Sequence, residues 1–194
     1  LISEHLTFRK KLNLIKAGIS TLLRSNRALG LPPIIQIEPT NVCNLKCPLC
    51  PSGLSSMNRK KGFMPLEMFQ KILDELGDVL IGVYLYSWGE PFLNKDITHM
   101  IKACRARNIC TLIPTNGHCL QTFQEALTIV DSGLTAMIIA IDGSTQEIYQ
   151  SYRKGADIEK VKRCAALVEE AKAKRGSNTP YTCIRTIVTD DNEK

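Results

Sequence analysis

The sequence predicts an α/β fold in which parallel strands share one sheet, helices lie outside it, and the whole curves toward a TIM-like barrel. Three observations carry that expectation. Five short apolar, β-branched runs recur along the chain, helical stretches separate them, and strand and helix alternate from about residue 34 onward. Connections of this kind are right-handed crossovers, which bring successive strands side by side and in parallel.

The elements follow in order. Leu6, Leu12, Ile15, Ile19, Leu22 and Leu23 recur at helical spacing, so residues 3–28 read as an amphipathic helix, broken at Gly18 and ended by Gly30 and Pro32-Pro33. Strands are expected at 34–38, 80–86, 110–114, 136–141 and 182–188. Helices are expected at 65–76, where a proline suits the first turn, and at 95–106, 120–130 and 157–174. The organisation expected is an N-terminal helical segment over 1–33 followed by a single core domain over 34–194.

Bulk properties narrow the class. The 194 residues are 44% hydrophobic and 23% charged, ordinary for a globular chain and without a disorder signature. No apolar run approaches a bilayer span, and no secretory signal precedes the fold, so stable membrane insertion is not expected and the cytoplasm is the expected compartment. The net charge is +6, of which +5 lies in residues 1–30, where Arg9, Lys10, Lys11, Lys16, Arg24 and Arg27 face only Glu4. Such a cluster suits an acidic partner or a membrane surface, although a solvated helix face is the ordinary case. The chain starts at Leu1 and not at methionine, as a trimmed or partial sequence would.

Cys43, Cys47 and Cys50 are the sharpest chemical signal. They form a C-x3-C-x2-C run with Pro48 stiffening the turn between the last two. A structural zinc site usually adds a fourth Cys or His nearby, and a ferredoxin-type cluster needs a fourth Cys. Neither follows locally. Cys104, Cys110, Cys119, Cys164 and Cys183 stand singly, as buried small hydrophobes do. The expectation is a 4Fe-4S cluster on three cysteines with one iron open to a ligand, which also requires a reducing compartment.

Further motifs follow in register with the strands: Ser87-Trp88-Gly89-Glu90-Pro91, Thr115-Asn116-Gly117, Ile139-Ala140-Ile141-Asp142-Gly143 and Tyr152-Arg153. With the cysteines, this order resembles the radical S-adenosylmethionine (radical SAM) superfamily, in particular the catalytic core of its SPASM-type, peptide-modifying branch. The resemblance implies a partial (β/α)6 TIM-like barrel of which about five parallel strands are present, so the chain is expected to be a core without its distal part. It implies SAM as cofactor, chelated at the open iron and cleaved reductively to a 5′-deoxyadenosyl radical that takes hydrogen from a substrate, such as a peptide or protein side chain. It further implies that Gly89 and Glu90 receive the methionyl amino group and that Arg153 contacts SAM. Asn116 reads equally as an adenosine contact or a turn residue, and Asp142 as a site residue or a turn cap.

Two positions depart from the family pattern. Ala140 stands where a serine commonly meets the ribose, and Leu49 where an aromatic often packs near adenine. His118 and Cys119 are expected at the mouth as a loop histidine and a packed cysteine, with substrate contact or a fourth ligand as the sharper readings. Arg59-Lys60-Lys61 suits an acidic reductant such as flavodoxin or ferredoxin. The competing functions are modification of RNA or of a cofactor precursor, and a non-catalytic zinc or iron–sulfur module. A nucleic-acid partner is not expected, since no stripe of basic and aromatic residues is evident.

Overall fold

The structure, a computed structural model, describes residues 6–193. The expected helix therefore has its first three residues, Glu4 among them, outside the described part. The first helix, α1 (Phe8–Leu22), is capped by Thr7, whose hydroxyl accepts from the Lys10 N–H. It runs through Gly18 without a break, because a glycine with open space around it costs an exposed helix only about 1 kcal/mol relative to alanine.

α1 is turned in an unexpected way, with Lys10 and Asn13 as its buried residues. Lys10 Nζ donates to the carbonyls of Arg107 (2.9 Å) and Asn108. The Asn13 side chain pairs with both backbone groups of Leu31, donating at 2.9 Å and accepting at 2.8 Å.

Five parallel strands form one sheet in sequence order: β1 (Ile34–Ile37), β2 (Gly82–Leu85), β3 (Cys110–Thr115), β4 (Ala136–Ala140) and β5 (Tyr181–Arg185). All five expected strands are present. The helices between them are α2 (Pro51–Leu54), α3 (Leu66–Leu76), α4 (Ile97–Ala106), α5 (Phe123–Ser132), α6 (Gln146–Tyr152) and α7 (Ile158–Arg175), with a 3-10 turn at Pro91–Leu93. This is the α/β, barrel-like architecture that the alternation predicts.

The register sorts the two faces of the sheet. Val83 pairs with Thr111, and Ile113 with Met137; all four are buried, and Val83, Ile113 and Met137 share one core cluster with Phe69, Leu73, Met100, Ile101 and Val161. The neighbouring residues Tyr84, Leu112 and Ala136, half-buried, and Tyr181, exposed, line up as a row on the other face. Among the described residues β5 pairs only with β4, and it is largely exposed. It ends three residues earlier than the sequence suggests, because Ile187 leaves the sheet and donates its N–H to Asp142 Oδ1 (2.7 Å).

Candidate functional site

Parallel strands gather their carboxyl ends at one edge of the sheet, and the loops that leave those ends meet there. Cys43, Cys47, Cys50, Gly89, Glu90, Asn116 and Arg153 all line one cleft of about 220 Å³ at that edge. Leu49, Tyr86, Trp88, Ala140, Tyr152 and Arg185 are among the other residues of its wall. Seven of the eight residues that the sequence singles out thus share a cavity. Asp142 is the eighth, and it does not line the cleft.

The cysteine loop is stitched down by its own backbone and by polar side chains. Cys50 N–H donates to the Cys47 carbonyl (3.1 Å), and Lys46 N–H to the Lys154 carbonyl (3.0 Å), tying the loop to the turn after α6. Asn41 accepts from Gly62 N–H (2.8 Å) and donates to the Lys60 carbonyl (2.8 Å), and so folds the return segment back on the loop. The Leu45 N–H points at Cys43 Sγ (3.5 Å), a donor that favours a thiolate at that position. Burial pushes the Cys43 and Cys47 thiols up, so metal binding there must displace their protons.

Gly89 adopts φ +93°, and a Cβ on it would lie 2.5 Å from the Thr40 carbonyl oxygen and 2.7 Å from that of Val42. Only glycine permits this contact between the loop after β2 and the start of the cysteine loop. The approach is sealed by Glu90 N–H, which donates to the Val42 carbonyl (2.8 Å).

Glu90 is 2% exposed. Its carboxylate accepts from the Thr115 hydroxyl (2.8 Å), Asn116 N–H (2.8 Å) and Phe92 N–H (3.3 Å). Burial nevertheless pushes its acid strength the other way and raises its pKa. A carboxylate held by three neutral donors but short of a countercharge is a receptor for a cationic group.

Asn116 is committed to the protein. Its side-chain amide nitrogen donates to Asn44 Oδ1 (2.8 Å) and lies 3.8 Å from Cys43 Sγ, while its side-chain Oδ1 accepts from His118 N–H (3.0 Å). It therefore bridges the loop after β3 to the cysteine loop. Arg153 presents its guanidinium to the cleft, and Nε is bonded to Asp142. Asp142 is buried behind it and also holds Ile187 N–H, so it orients the arginine and anchors the segment after β5.

His118 and Cys119 take the ordinary roles. His118 Nδ1 bonds the Asn116 carbonyl (2.8 Å) and Nε2 accepts from Asp157 N–H (2.8 Å), so both ring nitrogens serve the fold. Cys119 lies off the cleft wall, and burial pushes its thiol up to about 12. Thr115 and Asn44 are site residues that sequence reasoning missed. Thr115 stands in the Thr115-Asn116-Gly117 motif, but its bond to Glu90 spans 25 positions and has no local signature.

Among the described residues, no three His, Cys, Asp or Glu side chains stand close enough to cage a single ion.

The PqqA peptide cyclases of Bradyrhizobium diazoefficiens and Rhodopseudomonas palustris are 27% identical over 114 residues and 25% identical over 119 residues, covering 59% and 61% of this chain. The chain spans about 30% of the length of these curated relatives. Among solved structures, anSMEcpe with bound AdoMet superposes with a TM-score of 0.62 at 23% identity, over 80% of this chain and 43% of that one. Methylornithine synthase superposes with a TM-score of 0.55 at 12% identity, over 93% and 60%. Both share the fold. The family description "Radical SAM superfamily" matches residues 37–193. That span opens at the last residue of β1 and takes in every loop that feeds the cleft, so the chain belongs to the radical SAM superfamily, whose cofactors are a 4Fe-4S cluster and SAM.

Proposed function

We propose that this chain is the cofactor-binding core of a radical SAM enzyme that modifies a peptide or protein side chain. The observation that carries the reading is a buried carboxylate, Glu90, sharing one cleft with three cysteines and a guanidinium. Cys43, Cys47 and Cys50 hold the cluster. Glu90, approached through side-chain-free Gly89, receives the ammonium of SAM, and Arg153, braced by Asp142, offers its terminal nitrogens to the carboxylate. Asn116 and Asp142 act as positioning residues for the cysteine loop and for Arg153. Leu49, Trp88 and Tyr152 give the nucleoside apolar surface and exclude water, without a hydroxyl at Ala140.

The chemistry that the bound cofactors supply is one-electron cleavage of the sulfonium followed by hydrogen abstraction from substrate. A peptide is favoured as substrate by the likeness to PqqA peptide cyclases. Arg59 is tied to Glu38, which leaves Lys60 and Lys61 beside the cleft loop to attract an acidic reductant such as flavodoxin or ferredoxin.

Anaerobic reconstitution with iron and sulfide tests the reading. The expected product carries about four irons and four sulfides per chain, changes its spectrum on adding SAM, and releases 5′-deoxyadenosine under a strong reductant. Cys47→Ala is expected to lose iron and cleavage together. One equivalent of zinc with no response to SAM, or intact cleavage in Cys47→Ala, overturns it.

A further inference from the structure

At ~100° per residue, Phe8, Leu12, Ile15, Ile19, Leu22 and Leu23 fall within a stripe ~100° wide along α1 and its C-cap. All six are 41–84% exposed. An amphipathic helix ordinarily turns such a stripe to the core. Here the opposite face does the docking, through the four hydrogen bonds of Lys10 and Asn13 to the carbonyls of Arg107 and Asn108 and to the backbone of Leu31. Rolling the helix to bury the stripe would break all four. The outward aim of the apolar face is therefore built in.

Charge says what covers it. Lys11 borders one edge of the stripe and Lys16 the other, Arg24 and Arg27 follow, and α1 contains no acidic residue. None of these four cations pairs with a carboxylate among the described residues. A second copy of the stripe would bring lysine against lysine. An anionic lipid surface offers hydrocarbon to the stripe and phosphate to its borders at once. No described helix is long and apolar enough to cross a membrane. We propose that α1 is a peripheral docking helix that lies in the plane of an anionic bilayer, its apolar stripe sunk to the acyl boundary and its lysines at the headgroups.

Co-sedimentation with vesicles tests this, using phosphatidylcholine with and without phosphatidylserine. The chain is expected to partition at least ~10-fold more onto the serine-containing vesicles, and salt should erase the difference. Ile15→Glu with Ile19→Glu is expected to abolish partition, and Lys11→Glu with Lys16→Glu to lower it by ~10-fold or more. All four positions are exposed, so thermal midpoint and iron content should stay at wild-type values; if the isoleucine pair disturbs folding, the lysine pair still decides. Cys47→Ala should bind vesicles like wild type, which separates this inference from the cofactor reading. Absence of partition, or equal partition onto neutral vesicles, overturns the proposal. So does a dimer that Ile15→Glu with Ile19→Glu dissolves in the absence of any lipid binding, which would put a second copy on the stripe.

Discussion

Glu90 concentrates the chemistry of the site in one side chain. Its three donors are neutral and burial works against the anion, so a bound cation should be worth more here than at a surface, where an ion pair contributes about 0–1 kcal/mol. Glu90→Gln keeps the shape and removes the charge; the expected outcome is a retained cluster with SAM affinity weakened ~10-fold or more, a loss of ~1.5–3 kcal/mol, read by titration of the reconstituted protein. Unchanged affinity would leave Glu90 as a strut between two loops. His118 supplies a pH-dependent test of the fold. Burial pulls its pKa below the ordinary 6.5, so below that value the unfolded chain binds a proton that the folded chain resists. Stability should be flat in this contribution above about pH 7 and fall as pH drops through 6.5, because a protonated Nε2 cannot accept from Asp157 N–H. Denaturant midpoints across that range should show the fall in wild type and lose it in His118→Gln. That the cysteines, Gly89, Glu90 and Arg153 would meet at one cleft was readable, because local spacing and the strand ends record it. The tasks of Thr115, Asn116 and Asp142 were not, since each bonds a group between 11 and 72 positions away and pairing at that range leaves no pattern in the chain.

Elements were legible where their periodicity was strong and obscure where tertiary contacts chose the boundary. All five strands and the four long helices after residue 60 lie where apolar spacing puts them, within a few residues. α2 and α6 had no such signal. α2 is one turn of Pro51-Ser52-Gly53-Leu54, and α6 offers only Ile148, Tyr149 and Tyr152, too short a run to establish a period, although Thr145 does cap it by accepting from Ile148 N–H. Gly53 explains why a weak former stands in α2, since a Cβ there would lie 2.5 Å from the Cys47 carbonyl oxygen. Gly89 marks the corresponding contact from the β2 side. Gly89→Ala combines a positive φ with that clash, so it should destabilise the fold by about 1–3 kcal/mol and loosen the cysteine loop. Thermal melting and iron retention under a chelator should both fall; a variant that keeps iron as wild type does would separate the two loops energetically.

At the scale of the molecule, the sheet separates two ends with different tasks. Loops from the carboxyl ends of the strands build the cleft, while α1 is fastened to Leu31, Arg107 and Asn108, which come just before β1 and β3. Lys10 is central to that fastening: it is 1% exposed and ends the carbonyl ladder of α4, where a cation also meets the negative end of the helix dipole. Lys10→Met preserves volume and strands two carbonyls, so it should cost about 1–3 kcal/mol in denaturant unfolding and release α1 to proteolysis. A wild-type midpoint with α1 still protected would show that Asn13 alone suffices. The outline of the molecule was legible in its alternating pattern, but the orientation of α1 was not, since helical periodicity identifies an apolar stripe without saying which side faces inward. Because β3, for example, spans six residues, ~20 Å of sheet lies between the fastening and the cleft. Moored by its base, the protein would hold its reaction chamber upright with the opening toward the aqueous phase, so that whatever enters it arrives from solution without competing with the headgroups beneath.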